Sequence, residues 1–492
     1  MTSTDSTASK PAARPQGPPL FVDMDGALIN GDTLWESFAV LCRQKPLAAF
    51  VSLFQLLRGR AAFKRAVARN VKISVSDFNY NDAVIEFVRK ARASGRMTVL
   101  ATAADQAIAD AVAAHLGCFD AAIASDGVRN LKGAKKAAAI SDYANEKTGA
   151  AAFDYIGDSK ADRPVWRIAE KAIVVAPDEQ AGARAAAPVR PARVLPKPRA
   201  TARDAVKALR FHQWVKNVLI FAPLFLSHQF MDVSKSLAAV IAFVCFGLTA
   251  SATYIWNDLF DLHVDRRHPR KRTRALASGA LAIPHAVMMS AVLILVAFAG
   301  ALLFLPPVVA AMLAGYGAVT LTYSLYLKEK LLLDAMTLGF LYAYRIVVGS
   351  AATGVPVSDW LIAFSVFFFL GLALVKRFSE IETKPQTGDG RIAGRGYFAS
   401  DREVIGALGV ASSFMSVLIL ALYITSPAVV VLYERPQALW IVCFVMIYWL
   451  SRVWVLAHRS FMPDDPIVFA LKDRVSWMAG AVCGAAVLAA AL

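Results

Sequence analysis

The sequence predicts two fold classes in series: an α/β Rossmann-like domain with a small helical cap, then an all-α integral membrane domain of about nine transmembrane helices. Three observations predict this. Between 18 and 177, short apolar runs ending in small or acidic residues alternate with helical stretches. Between 178 and 203 the composition shifts to Ala, Pro and Arg, which reads as a solvated linker. From 204 to 492 apolar segments recur, each near the about 20 residues needed to cross ~30 Å of hydrocarbon. The 492 residues are 57% hydrophobic and include five widely separated cysteines with no CxxC, so neither a disulfide framework nor a clustered thiolate metal site is suggested.

Residues 1–17 are polar with no apolar core, which reads as a disordered N-terminus left in the cytosol rather than a signal peptide. Strands are expected at Leu20–Val22, 97–101 and 153–156, a helix at Asp82–Ala93, and a mostly helical cap over 31–80. Asp23 and Asp25, in Phe-Val-Asp-Met-Asp-Gly-Ala-Leu, follow the first strand, where a turn at Gly26 exposes both carboxylates at the carboxyl end of the sheet. Open parallel sheets bind ligands there. A second strand ends at Thr102 and a third at Gly157-Asp158-Ser159-Lys160-Ala161-Asp162, while Lys132 precedes a helix. Hard carboxylates, a cation and a hydroxyl converging at strand ends make a Mg²⁺ and phosphate site. A lone DxDG is equally an Asx turn; the whole series in this order is not.

That order and spacing resemble the haloacid-dehalogenase superfamily of phosphohydrolases. The resemblance implies that Asp23 is a nucleophile forming an aspartyl phosphate and that Asp25 is the general acid/base. It also implies that Thr102 and Lys132 hold phosphoryl oxygens, and that Asp158 and Asp162 join Asp23 and Asp25 at the metal. Ala27 stands where the family usually has Thr or Val. A pseudoenzyme that only scaffolds or senses phosphate is the alternative.

The nine expected crossings are 214–230, 236–256, 285–305, 307–327, 331–352, 359–375, 404–425, 438–457 and 475–492, the first interrupted by Lys216 and Asn217. With the N-terminus inside, the inner loops hold seventeen Lys and Arg against Lys235 and Arg435 outside. This predicts a multi-pass protein of a bacterial plasma membrane, with a cytoplasmic N-terminal domain and Leu492 outside. The net charge of +16 then reads as topology and a phosphate-facing surface, not as nucleic-acid binding.

The richest polar cluster at a crossing end runs from Asn257 to Asp265. On a helix Asp258, Asp261 and Asp265 share one face. Three carboxylates so placed repel unless a cation neutralises them, and hard oxygens select Mg²⁺, whose natural client is a diphosphate. A solvated acidic helix end is the plain alternative. This NDxxDxxxD segment, with nine crossings, resembles the UbiA superfamily of intramembrane prenyltransferases over 203–492. Members that ionise a prenyl diphosphate typically carry a second acidic pair near 323–340; here Asp334 has Leu338 at i+4.

The QWxKN opening at Gln213 to Asn217, the YSxxLK at Tyr323 to Lys328 and the KRxxE at Lys376 to Glu380 narrow the resemblance to the polyprenyl-phosphate phosphoribosyltransferase branch, with Phe211 where that branch often has Pro. The resemblance implies phosphoribosyl diphosphate as donor and a polyprenyl phosphate as acceptor. Asp258 and Asp261 would be catalytic, with Asp265 beside them on Mg²⁺. Arg210, Gln213, Lys216, Asn217, Asn257, Arg266, Tyr323, Lys328, Arg345, Lys376 and Arg377 would bind substrate. The N-terminal domain, tethered by the linker at high effective concentration, would remove the 5-phosphate to leave polyprenyl-phosphoryl ribose, a pentose donor for the cell envelope. A homo-oligomer is compatible with this reading. Two alternatives stand beside it: a prenyltransferase acting on an aromatic or other small acceptor with an inactive phosphatase, and a transporter or scaffold, for which broken helices and repeats are wanting. The cytosolic loop with Gly388, Gly390, Gly394 and Gly396 reads equally as a phosphate lid or a solvated loop.

Overall fold

The computed structural model describes residues 17–149, 151–199, 201–383, 390–392, 394–430, 432–462 and 465–492. Most of the stretch expected to be disordered (1–16) and Gly388 of the glycine loop lie outside the described residues. The chain divides into two compact units, Met1–Ala208 with Ile255–Met288, and Leu209–Tyr254 with Met289–Leu492.

In the first unit, a cap of three helices, α1 (Thr33–Gln44), α2 (Pro46–Phe54) and α3 (Arg60–Asn70), occupies the region expected to be helical. The Asp32 carboxylate caps α1 by accepting from the N–H groups of Leu34 and Trp35. The body is a parallel sheet of β1 (Leu20–Val22), β2 (Thr98–Asp105), β3 (Ala121–Ser125), β4 (Asp154–Gly157), β5 (Lys171–Ala176) and β6 (Arg193–Pro196), in the order β3-β2-β1-β4-β5-β6. Its strands read as continuous apolar runs because both faces are covered. Leu20, Val22, Leu100 and Ile156 pack with helices α4 (Asp82–Ala93) and α5 (Gln106–Leu116). Phe21, Val99, Ala101 and Tyr155 pack with α6 (Ala134–Thr148) and α7 (Arg163–Trp166). The strand order reverses between β1 and β4, so the crevice beyond their carboxyl ends is the place a ligand takes. Val22 pairs with both Leu100 and Ile156, so Asp23 and Asp158 leave the sheet on adjacent strands; β2 runs on to Asp105, so the second strand does not end at Thr102 as expected.

The linker expected over 178–203 is a correction. It contains helix α8 (Glu179–Ala186) and strand β6, which pairs in parallel with β5 from Ile173↔Arg193 to Ala176↔Pro196 and buries Leu195. A proline is tolerated because β6 is the edge strand, where a missing N–H breaks no ladder.

Among the described residues, eight helices are long and apolar enough to cross a membrane: Val233–Phe260, Ile283–Phe304, Pro307–Leu325, Leu333–Thr353, Asp359–Thr383, Ala399–Ile424, Pro436–His458 and Arg474–Ala491. The first expected crossing is not a ninth such helix. It is a 3₁₀ helix, Phe211–Phe221, followed by a short α-helix, Ala222–Leu226. Arg210 enters it with a left-handed φ of 51°, and Pro223 would interrupt any α-helix carried through from Phe211. Eleven residues at a rise of about 2 Å and five at about 1.5 Å still span about 30 Å. This stretch packs so closely on Leu333–Thr353 that a β-carbon at Gly349 would collide with the Ile220 carbonyl, the close approach that small residues permit between membrane helices.

Candidate active sites

Beyond β1, the carboxylates of Asp23, Asp158 and Asp162 each place an oxygen within 4.8 Å of the others. A β-carbon at Gly26, whose φ is +79°, would meet the Asp158 carboxylate, so the DxDG glycine meets both a conformational and a steric need. The cation of this group is Lys136: its Nζ lies 2.8 Å from Asp23 and 3.3 Å from Asp162, and it donates to the Tyr155 hydroxyl at 2.9 Å. Burial works against the Lys136 charge, but Asp23 and Asp162 overcome it and raise its pKa. Burial, reinforced by Asp162 and opposed by Lys136, pushes the Asp23 carboxyl well above its ordinary range. Such mutual repulsion marks a place where a divalent cation is stabilising, and these oxygens are a hard donor set that fits Mg²⁺.

The Asp25 carboxylate is not part of that group. It accepts from the Thr33 N–H at 2.8 Å, and burial beside the Asp32 carboxylate pushes its pKa up to about 7. That is the range a general acid/base needs near neutrality. Thr102 is buried within β2, where its hydroxyl accepts from the Ala104 N–H. Lys132 lines a cavity of about 510 Å³ with Asp23 and Asp25, together with Arg60 and Lys64 from the cap. Lys197, just past β6, pairs with Asp158 at 2.8 Å.

The acidic face on Ile255–Met288 belongs to the same unit. Arg274 Nη1 lies 3.0 Å from Asp258 and 2.5 Å from Asp265, while Arg43 of α1 reaches Asp261 at 3.4 Å. The helix expected to carry all three carboxylates breaks at Asp261, between Val233–Phe260 and Leu262–Arg267, and Asp258 and Asp265 from either side of the break converge on one cationic atom. Arg266 is placed differently from the expectation that it binds substrate: it makes a bidentate pair with the fully buried Glu36, at 2.7 and 2.8 Å, and donates to the Asp77 carbonyl. A guanidinium so engaged is a clamp between cap and loop.

In the second unit Arg377 is fully buried, paired with Asp334 and Glu380 at 2.5 Å each, and donates to the Tyr323 hydroxyl at 3.1 Å. Tyr397 also donates to Asp334, and Arg395 pairs with Glu380 at 2.9 Å. Asp334, standing where a second acidic motif would begin, is therefore consumed internally. Lys216 pairs with Asp465 at 2.5 Å and lies 5.7 Å from the Tyr342 ring centre. Arg345 donates to the Asn217 side chain at 2.9 Å and to the Tyr316 hydroxyl at 3.3 Å, so these two expected substrate residues hold each other. Arg210 lies over the Tyr254 ring at 5.2 Å, Gln213 stands one turn later on the 3₁₀ helix, Lys328 is buried, and Lys376 is half-buried beside Arg377.

Residues 218–489 match the UbiA prenyltransferase family. The chain belongs to that family. Residues 20–167 match haloacid dehalogenase-like hydrolases, so this family member carries an N-terminal domain of that kind. Both parts together are similar to protein y4nM of Sinorhizobium fredii, 38% identical over 474 residues, which cover 95% of this chain and 90% of that one. Nodulation protein NoeC of Azorhizobium caulinodans is 33% identical over 278 residues, 55% of this chain and 87% of its own. A decaprenyl-phosphate phosphoribosyltransferase of Mycobacterium tuberculosis is 35% identical over 189 residues, 37% of this chain and 62% of its own length. This UbiA family member is thus a multi-pass membrane protein with a transferase domain and a hydrolase-like domain.

Sequence reasoning passed over Lys136, Lys64 and Lys197. Lys136 had a readable signal: with Ala137, Ile140 and Ala144 it lies on the buried stripe of α6, an unusual place for a lysine without an anionic partner. Lys64 and Lys197 had none, since each meets its partners only through the tertiary fold.

Proposed function

We propose that this chain transfers the 5-phosphoribosyl group from phosphoribosyl diphosphate to a polyprenyl phosphate, and that its N-terminal domain then removes the 5-phosphate. The observation that carries the first half is the engagement of Asp334 by Arg377 and Tyr397. With Leu338 at i+4 there is no acidic pair at 334 and 338, so Asp258, Asp261 and Asp265, held by Arg274 and Arg43, are the acidic set proposed for a diphosphate. The partial relatives named decaprenyl-phosphate phosphoribosyltransferase support the same donor and acceptor. Asp258, Asp261 and Asp265 would hold Mg²⁺, which would neutralise charge on the departing diphosphate. An oxygen of the lipid phosphate would bond to C1 of the ribose as the C1–O bond breaks and diphosphate leaves with the electron pair. Lys216, Lys328 and Lys376 would orient anionic groups, with Gln213 and Asn257 as hydrogen-bonding partners of the donor.

In the second half, Asp23 would attack phosphorus while the bond to the ribose 5-oxygen breaks and Asp25 delivers a proton to that oxygen. Water would then release inorganic phosphate from the aspartyl phosphate. Asp23, Asp158 and Asp162 would hold the metal of this site, and Lys136 would fix the nucleophile.

The same reading sets the topology. Leu20–Val22 and Ile255–Met288 share one compact unit and hence one side of the membrane. The chain between them then crosses an even number of times, so the stretch Phe211–Leu226 partners Val233–Phe260. Nine crossings in all carry Leu492 to the opposite, outer side, with the N-terminal domain cytoplasmic in a bacterial plasma membrane.

The test supplies radiolabelled phosphoribosyl diphosphate and polyprenyl phosphate to the full chain, with prenyl diphosphates as competitors. Label should enter lipid, and the Asp23→Asn product should retain a 5-phosphate that the unmodified chain removes. Label transfer only from a prenyl diphosphate, or identical products from both proteins, contradicts the proposal.

A further inference from the structure

Helix α2 and the 3₁₀ turn after it, Gln55–Arg58, carry only Ser52, Gln55 and Arg58 as polar residues. Leu47, Phe50, Val51 and Phe54 fall at i, i+3, i+4 and i+7 and form one outward stripe that Leu57 continues; Leu47 is 81% exposed and Leu57 88%. The inward side buries Ala49 against Leu41, Phe63 and Val67, and Leu53 and Leu56 line the cavity that holds Asp23. So large an exposed apolar stripe marks a surface that is covered in use.

The charge around it says by what. From Arg43 to Ser76 the sequence holds eight Lys and Arg and neither Asp nor Glu. Lys45, Arg58, Arg60 and Arg69 are exposed around the stripe. Apolar side chains ringed by cations match the boundary between anionic headgroups and acyl chains, and the chain's own crossing helices guarantee a bilayer. The cavity agrees: Trp35, Phe38, Leu53, Leu56 and Phe63 form an apolar wall beside the carboxylates, which suits a phosphate ester attached to hydrocarbon better than a free sugar phosphate.

We propose that α2 and its following turn lie in the bilayer interface, and that the catalytic cavity under them receives a phosphomonoester carried on a lipid. The substrate class rests on the phosphatase proposed above; the seating of α2 in lipid does not.

The full chain would be reconstituted in nanodiscs containing phosphatidylglycerol with a photoactivatable acyl chain, irradiated and mapped by mass spectrometry. Acyl adducts are expected within 46–58. A Phe50→Glu, Leu57→Glu variant should lose them and hydrolyse polyprenyl-phosphoryl ribose 5-phosphate at least tenfold more slowly, with its rate on soluble ribose 5-phosphate unchanged. No adducts within 46–58, or a native-mass dimer occluding the segment in their place, overturns the proposal whatever the activity; so does an unchanged rate on the lipid ester. Adducts without phosphate release from either ester uphold the seating of α2 and overturn the phosphatase assignment.

Discussion

Lys136 is the side chain on which the hydrolase-like site turns. It is buried with Asp23 and Asp162, and each carboxylate is tolerable there because the ammonium is present. Removing one partner of a buried pair leaves an uncompensated charge, at a cost of about 3–5 kcal/mol. Lys136→Met should therefore lower the stability of this unit by about that amount and abolish phosphate release. Denaturant titration followed by proteolysis of the full chain, alongside a phosphate assay, checks both; unchanged values for each would show that the lysine is dispensable. The carboxylates themselves were legible in the sequence, because DxDG and the Asp158 to Asp162 spacing are local. The choice of Lys136 over Lys132 was not, since it depends on where α6 begins and which side it buries. Arg266 was illegible for a stronger reason: Glu36 lies 230 positions away in sequence.

Strand β6 and the Phe211–Leu226 stretch show where composition misleads. Four residues, Arg-Val-Leu-Pro, are too few for a period of two to declare itself among alanines, prolines and arginines. Yet Leu195 is buried and Lys197 follows directly to meet Asp158. Leu195→Asp should therefore destabilise the N-terminal unit by about 2–4 kcal/mol, the cost of a lost core leucine and a buried carboxylate. Limited proteolysis of the full chain should then cut the sheet at lower denaturant, whereas an unaltered profile would restore the linker reading. The long apolar helices were legible almost to the residue because about 20 consecutive apolar residues have few other uses. The first crossing was legible as an apolar stretch but not as a 3₁₀ segment, which covers the same distance with fewer residues and need not follow the period of 3.6.

Strand β6 closes the sheet, and Ile255–Met288 of the transferase is held in the same compact unit as the cap through Glu36–Arg266 and Arg43–Asp261. A tag fused after Leu492 should be reached by a membrane-impermeant reagent only from outside the cell, and one at the N-terminus only after lysis; labelling of both from one side would contradict nine crossings. Most direct of all is calorimetry of the purified full chain with phosphoribosyl diphosphate. Binding should require Mg²⁺ and vanish in Asp258→Ala and Asp261→Ala while the Asp23→Asn protein binds normally. Heat unchanged by divalent ions or by those two substitutions would contradict the assignment of that acidic face to the sugar diphosphate.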